Sequence, residues 1–185
     1  MSRFKPTIVL TCITTLTALL LTVTHTFTYV DTSGVITEKL MKSCVETMGE
    51  GDFRIVTDWQ AEGYATAKPD NVEKMIKKSD GTVAFEIITS GYAKGGLDML
   101  VAMNEDGSIK AVSVVSLSET PGLGTKVQDG GFLEQYKGKS EKLTAVKSAP
   151  SADNEIQAVT GATRSSKGVT EAVNIALEVY PQLGD

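Results

Sequence analysis

The chain has 185 residues and a formal net charge of −5, a length that suits one ordinary domain and an additional short segment. The acidic balance and the lack of a basic stripe argue against a nucleic-acid-binding groove. The two cysteines, Cys12 and Cys44, and the single histidine, His25, form no cluster with metal-ligand spacing. We therefore expect no zinc site, no iron–sulfur cluster and no Ser–His–Asp triad, and no disulfide between the two cysteines.

The N-terminal segment from residue 7 to residue 30 contains no Asp, Glu, Lys or Arg, and its 24 residues exceed the roughly 20 needed to cross a bilayer. Nine of them are threonines, which a membrane helix tolerates because their hydroxyls can bond carbonyl groups one turn earlier. Arg3 and Lys5 precede the segment and Asp31 follows it. The positive-inside rule then predicts a single-pass anchor in the cell (inner) membrane, with a cytoplasmic N-terminus and residues 31–185 outside the cytoplasm.

A cleaved signal peptide and a lipoprotein signal are the alternatives to an anchor. No small-x-small cleavage site is visible near residues 26–32, and Cys12 lies too early for a lipobox. We therefore favour an uncleaved anchor.

The region after the anchor begins with an amphipathic helix pattern between Ile36 and Met48, which Gly49 ends. We expect this helix to pack on the domain that follows it. Arg54–Val56 is a predicted short strand. Asp70-x-x-Glu73 has the form of a capping box and predicts a short helix. The apolar residues of that predicted helix are Val72, Met75 and Ile76.

The central region is rich in β-branched residues and turn signals. The segments with strand character are Thr82–Ser90, Leu97–Met103 and Ile109–Ser118. The turn at residues 104–107 predicts that the last two form a hairpin. Further predicted elements are a short helix at Phe132–Tyr136, a short strand at Ile156–Val159 and a final helix at Val169–Tyr180 that Pro181 ends. The predicted fold class is α+β, with a mainly antiparallel twisted sheet flanked by helices.

The loop Val159–Ser166 lies between a predicted strand and a predicted helix. The free N–H groups and the dipole of a helix N-terminus favour an anion, and this loop is dense in hydroxyl groups. A phosphate site is therefore one interpretation. The other is an ordinary helix start, with Thr160 or Ser165 as its N-cap.

Two further loops contain glycines. In Glu119–Lys126, a Pro-Gly turn presents Leu123 between Gly122 and Gly124, which suits a backbone approaching a flat ligand and a leucine covering an aromatic ring. A plain connecting loop is the alternative. Gly91–Gly96 lacks the GK[ST] ending of a P-loop, and we interpret its glycines as serving a turn or a close approach.

The order of these features, an anchor, a Gly-Tyr turn, a hairpin, Glu119–Gly124 and then Thr160–Thr163, resembles the FMN-binding domain of the G subunit of the Rnf complex. That complex is a membrane-bound ferredoxin:NAD oxidoreductase, and the C subunit of the sodium-translocating NADH:quinone reductase is a close relative. The resemblance covers essentially the whole chain. It implies an electron-transfer subunit of an ion-translocating oxidoreductase, or translocase, which relays electrons through FMN with no catalytic residue of its own.

The resemblance also implies particular site residues. In that family the threonine that ends an [S/T]-G-A-T motif carries FMN through a phosphoester bond made by a separate flavin transferase, so the implied acceptor is Thr163. The implied residues around the phosphate are Thr160, Gly161, Ala162, Ser165 and Ser166. The implied contacts of the flavin are Glu119, Thr120, Gly122 and Leu123, with Leu123 on the ring. We expect Arg164 to face solvent. Gln157 departs from the family pattern, which often has an acidic residue six positions before the acceptor.

Three regions are expected: a cytoplasmic start and anchor at residues 1–30, a connecting helix within residues 31–52 and the FMN-binding domain at residues 53–185. The expected partners are other subunits of the Rnf complex, the flavin transferase and membrane lipid, and not nucleic acid. The alternatives are the C subunit of a sodium-translocating NADH:quinone reductase and an anchored non-redox FMN-binding or structural module.

Overall fold

The computed structural model describes residues 4–28, 34–64 and 68–183. The chain divides into two compact units, Met1–Thr32 and Ser33–Asp185. Arg3 and Asp31, on which the predicted orientation of the anchor depends, lie outside the described residues.

The first unit contains helix α1, Phe4–Thr28. Its stretch Pro6–Thr28 is long and apolar enough to cross a membrane, judged by length and composition. Threonine hydroxyls from Thr11 to Thr26 donate to carbonyl oxygens three or four residues earlier, at 2.6 to 3.0 Å. Each of these hydroxyls thus finds a partner within the helix, as the sequence predicts.

The second unit is built on a five-stranded antiparallel sheet whose strands are neighbours in chain order. The strands are β1 Phe53–Val56, β2 Val72–Lys78, β3 Val83–Thr89, β4 Leu97–Met103 and β5 Ile109–Leu117. In the register of the sheet, Leu97 pairs with Thr89 on one side and with Leu117 on the other. The end of β3, the start of β4 and the end of β5 therefore lie together at one end of the sheet, measured along the strands. The predicted fold class and the predicted hairpin are both confirmed.

The helix predicted from Asp70 is wrong, because Val72–Lys78 is strand β2 and pairs with both β1 and β3. The error has a geometric cause. A register shift between Val72 and Lys74 puts Val72 on the same face of the sheet as Met75, and both belong to one core cluster. A β-bulge thus produces apolar residues three positions apart, which is the spacing of a helix.

One helix covers each face of the sheet. Helix α2, Glu38–Met48, begins at Thr37, whose hydroxyl accepts from the N–H of Leu40 at 3.3 Å. It packs on the domain as expected, with Leu40, Cys44 and Met48 buried against one face. Helix α4, Thr163–Val179, covers the other face. Its buried apolar residues are Val169, Ala172, Val173, Ala176 and Val179.

Shorter elements close the core between β5 and α4. Helix α3, Gly130–Leu133, follows a 3-10 turn at Gly124–Gln128 and precedes another at Glu134–Tyr136. The predicted strand near Ile156 is β7, Glu155–Gln157, which pairs in parallel with β6, Thr144–Val146. Strand β6 was not predicted, because its three residues do not show an alternating pattern. A 3-10 turn at Tyr180–Leu183, which includes Pro181, follows α4.

Candidate functional site

Three loops meet at this end of the sheet, where α4 begins. The β3–β4 loop, residues 90–96, is held to the end of β5 by a bond from the N–H of Ser118 to the carbonyl of Gly96, at 2.8 Å. The Glu119 loop, residues 118–125, leaves β5. The Thr163 loop, residues 158–163, leads from β7 into α4. Two of these loops are predicted site loops, and the structure adds the third.

The Thr163 loop is a tight turn followed by the helix. The N–H of Ala162 donates to the carbonyl of Val159 at 2.9 Å, with Gly161 at φ +81° in the third position of the turn. This φ is the one that a type II turn requires and that glycine adopts without strain. The fully buried hydroxyl of Ser166 accepts from the N–H of Val159 and donates to the carbonyl of Ala162, each at 3.0 Å. The turn is therefore fixed from inside.

The N-terminus of α4 has no side-chain cap. Its N-cap is Ala162, so the alternative interpretation of the loop, with Thr160 or Ser165 as the N-cap, is wrong. Thr160 is exposed in the second position of the preceding turn. Among the described residues, none accepts a bond from the backbone N–H of Thr163, Arg164 or Ser165. Three N–H groups and the positive end of the helix dipole are thus available to an anion beside the half-buried Thr163.

Glu119 connects the loops. Its Oε1 accepts from the N–H of Ala93 at 3.0 Å, and its Oε2 accepts from the N–H of Tyr92 at 3.2 Å and from the hydroxyl of Ser165 at 2.5 Å. The side chain is buried, and Gly124 packs so closely on it that an added Cβ would overlap Oε2. Glu119 is a predicted flavin contact, and the structure places its carboxylate among protein donors.

The pKa of Glu119 lies below its usual value. Burial acts to raise it, but the bonds donated by Ser165, Ala93 and Tyr92, helped by the positive charge of Arg164, outweigh that effect. The group is therefore a carboxylate at neutral pH and acts only as an acceptor.

Arg164 is exposed, as expected, but its side chain is anchored. Its Nε donates to the carbonyl of Gly91 at 2.9 Å, and its guanidinium lies 5.9 Å from the centroid of the Tyr92 ring. Tyr92 itself is 75% exposed, so the pair forms part of the surface of the site.

Leu123 brings the Glu119 loop beside the Thr163 loop. Gly122 (φ +73°) donates its N–H to the hydroxyl of Thr125 at 2.9 Å, and the N–H of Leu123 reaches the carbonyl of Thr120 at 3.2 Å. This turn leaves the Leu123 side chain 50% exposed, and a Cβ added to Gly161 would lie 3.6 Å from its Cδ2. An exposed apolar side chain thus adjoins the open helix N-terminus.

The predicted site residues divide into two groups. Those on the surface or partly exposed are Thr120, Gly122, Leu123, Thr160, Gly161 and Thr163. Those that are buried are Glu119, Ala162, Ser165 and Ser166. Sequence reasoning did not place the β3–β4 loop beside the Glu119 loop or anchor Arg164 to it, although it interpreted the glycines of Gly91–Gly96 as serving a turn or a close approach. In the part of the chain that the structure describes, no group of three or more His, Cys, Asp or Glu side chains could hold a metal ion.

Comparison with known proteins adds a family. An FMN-binding domain model matches residues 91–178, a range that includes all of the loop residues described above from Gly91 onward. The G subunit of the Na(+)-translocating ferredoxin:NAD(+) oxidoreductase complex of Acetobacterium woodii is 39% identical over 144 residues, which cover 71% of this chain and 69% of that protein. The G subunit of the proton-translocating ferredoxin:NAD(+) oxidoreductase complex of Clostridium ljungdahlii is 40% identical over 104 residues, covering 55% and 56%.

A solved structure has the same fold. The crystal structure of the C subunit of the Na(+)-translocating NADH-quinone reductase from Parabacteroides distasonis matches with a TM-score of 0.50 over 76% of this chain and 82% of that one. The sequence identity is 19%, so the likeness concerns the fold alone.

Proposed function

This chain belongs to the family of the G subunit of ion-translocating ferredoxin:NAD(+) oxidoreductase complexes, and we propose that it is an electron-transfer subunit of such an Rnf complex with FMN bound covalently to Thr163. The observation that carries the proposal is the uncapped N-terminus of α4, which begins at Thr163 inside the matched FMN-binding region.

The residues around Thr163 fit a phosphate. The free N–H groups of Thr163, Arg164 and Ser165 supply donors, and the helix dipole favours the one negative charge that a phosphodiester keeps. Gly161 has no side chain and Ala162 has a buried methyl, so neither obstructs the approach to the Thr163 hydroxyl. Thr160, exposed three residues earlier, adds a hydroxyl at the mouth of the turn.

The residues of the Glu119 loop fit a flat ring. Leu123 offers an apolar surface next to Gly161, and Thr120 offers an exposed hydroxyl near the start of the same turn. Gly122 leaves the backbone uncovered between them. When bound, FMN supplies the capacity to accept and release one or two electrons, and the protein orients it and shields it.

The attachment reaction needs an activated flavin. The Oγ of Thr163 would attack the phosphorus of an FMN group that a phosphoanhydride bond joins to a nucleotide. The Oγ–P bond would form as the phosphoanhydride P–O bond breaks, the nucleotide monophosphate would leave, and the hydroxyl proton would pass to a base of the transferase. No electron is transferred in this step. The flavin transferase is therefore a proposed partner for maturation.

We place the protein in the cell membrane through α1, with the FMN domain on the extracytoplasmic side. Arg3 and Lys5 before the apolar segment and Asp31 after it support this orientation. Ion movement is proposed to occur in other subunits, because residues 7–30 contain none of the acids that an ion path uses. Two relatives of nearly equal identity are named for different ions, which supports the same view.

Mass spectrometry of full-length protein made with a flavin transferase tests the attachment. Trypsin should release residues 148–164 as one peptide, and fragmentation should place an added mass of FMN less water on Thr163. Thr163→Val should remove both the mass and the in-gel flavin fluorescence. Thr144→Val, an exposed threonine of β6, is the matched control and should retain both. An unmodified Thr163 in this material would contradict the covalent assignment.

Turnover separates the proposal from its alternatives. In the isolated complex, the flavin of this subunit should be reduced by the electron donor and reoxidised by the acceptor. A bound flavin whose spectrum never changes during turnover would favour a non-redox FMN-binding module, and an active complex with a flavin-free subunit would favour a structural one. Activity with quinone in place of NAD would favour the quinone-reductase alternative.

A further inference from the structure

We infer that Glu119 and Arg164 are positioning residues that grip the Gly91–Tyr92 peptide group between opposite charges and so orient Thr163 for flavin attachment. The effect on flavin attachment rests on the proposed function. The arrangement of the two side chains around the peptide group rests on the contacts of the three loops alone.

One peptide group is held at both of its polar ends. The carbonyl of Gly91 accepts from Nε of Arg164 at 2.9 Å, and the N–H of Tyr92 in the same peptide group donates to Oε2 of Glu119 at 3.2 Å. The C=O and N–H of a trans peptide point in opposite directions, so the two side chains reach it from opposite sides. The positive group lies at the negative end of the peptide dipole and the negative group at its positive end, and both bonds are charge-assisted.

The grip extends to the first turn of α4. Arg164 and Ser165 directly follow Thr163, and their side chains bind Gly91 and Glu119 respectively. Two consecutive residues after the acceptor are thus tied to two different loops, while the described contacts leave the Thr163 hydroxyl uncommitted. The position of the acceptor is therefore set by its neighbours rather than by bonds of its own side chain.

The site demands a carboxylate at position 119. Three donors converge on it: two backbone N–H groups and the Ser165 hydroxyl. A glutamine would direct its NH₂ group at one or more of these donors, because only one of its two terminal atoms accepts. The space allows no rearrangement, since a Cβ at Gly91 would lie 2.7 Å from Oε1 and one at Gly124 would overlap Oε2.

The first experiment measures the rate of flavin attachment to the full-length protein by a flavin transferase. We expect Glu119→Gln and Arg164→Gln to slow it roughly ten- to a hundredfold, the size of effect that a misplaced reacting group has. Arg164→Lys keeps a cationic donor for the Gly91 carbonyl and should recover part of the rate. The control pair is Arg54→Gln and Glu62→Gln, which removes a bidentate ion pair on the surface and should leave the rate unchanged.

Visible circular dichroism of the flavin-loaded fraction distinguishes positioning from general destabilisation. The flavin signal should change in Arg164→Gln while its unfolding temperature stays near that of the control pair. Because Arg164 is exposed, we expect Arg164→Gln to fold, so the inference can be tested with this variant even if Glu119→Gln proves insoluble. Attachment rates and flavin signals equal to those of the parent protein in both variants would overturn the inference.

Amide hydrogen exchange tests the grip without flavin. The N–H groups of Tyr92 and Ala93 should be protected in the flavin-free parent protein and should exchange at least about tenfold faster in Glu119→Gln, but not in the control pair. Protection at Tyr92 together with an unmodified Thr163 would keep the grip and reject the covalent site. Fast exchange at Tyr92 in the parent protein would reject the grip itself.

Discussion

The hydroxyl of Ser165 donates to Oε2 of Glu119 at 2.5 Å, joining the first turn of α4 to the loop that leaves β5 across 46 residues of sequence. Both side chains are buried. The bond links the loop that carries Thr163 to the loop that carries Leu123, so the two halves of the proposed FMN site are not independent surfaces.

Ser165→Ala should destabilise the domain by about 1.5 to 3 kcal/mol, the usual loss for a hydrogen bond to a charged group. Glu119 would keep its two backbone donors but lose its shortest bond. Urea unfolding of the flavin-free protein measures the change. Ser151→Ala removes a hydroxyl that donates to the carboxylate of Glu155 at the surface, and it should leave the free energy of unfolding nearly unchanged. Equal losses of stability at the two serines would show that the buried Ser165–Glu119 bond stabilises the fold no more than the surface Ser151–Glu155 bond.

Gly124→Ala should be destabilising, by about 1 to 3 kcal/mol as for other overpacked sites. The added methyl would overlap Oε2 of Glu119 and lie 2.9 Å from Oγ of Ser165, and that carboxylate is held by three donors and cannot withdraw freely. We expect a lower unfolding temperature and a slower rate of flavin attachment.

Gly131→Ala is the control for that substitution. Gly131 lies in helix α3, and nothing is within 4 Å of the position of an added Cβ. Alanine favours a helix over glycine, so this variant should be neutral or slightly more stable. A Gly124→Ala protein as stable as Gly131→Ala would contradict the tight packing around Glu119.

Asp98→Asn should raise stability at neutral pH. Burial, then repulsion from Glu86, raises the pKa of Asp98 from 3.8 to about 6, and one of its oxygens is buried without a hydrogen-bond partner among the described residues. Between these two pKa values the folded protein binds more protons than the unfolded chain, so the parent protein loses stability as pH rises from about 4 to 6. Unfolding at pH 4 and at pH 7.5 should show the variant's advantage only at the higher pH.

Asp106→Asn provides the opposite sign. Bonds from the hydroxyl and the N–H of Ser108 lower the pKa of Asp106, so its carboxylate stabilises the fold above its unfolded pKa. This variant should lose stability at pH 7.5 and lose less in acid. A loss of stability in both variants at pH 7.5 would contradict the buried-charge explanation for Asp98.

The sequence predicted helices α2 and α4 because their apolar residues recur at helical spacing over several turns. It predicted strands β3 to β5 because their segments are rich in β-branched and other apolar residues and are bounded by turn signals. Strand β2 was mistaken for a helix because one bulge changes its apolar spacing, and that bulge depends on pairing with β3. Local pattern alone does not contain this information.

For the candidate site, too, the sequence predicted only what depends on neighbouring residues. Motifs in the two loops around Leu123 and Thr163 are contiguous in sequence and could be recognised there. The β3–β4 loop joins them through Glu119, 26 and 27 residues away, and through Arg164, 73 residues away. Such contacts follow from the order of strands in the sheet. They show that Glu119 holds the loops together, which its position in a sequence motif does not indicate.

Cys44 should resist alkylation in the folded protein. Its thiol is fully buried in the α2 face of the core, and burial together with the negative charge of Glu86 raises its pKa to about 11, so almost no reactive thiolate exists at pH 8. In a Cys12→Ser protein, which leaves Cys44 as the sole thiol, iodoacetamide at pH 8 should label it only after urea is added. The labelling rate at low urea then reports opening of α2 from the sheet. Rapid labelling in the native protein would mean that α2 is not stably packed there.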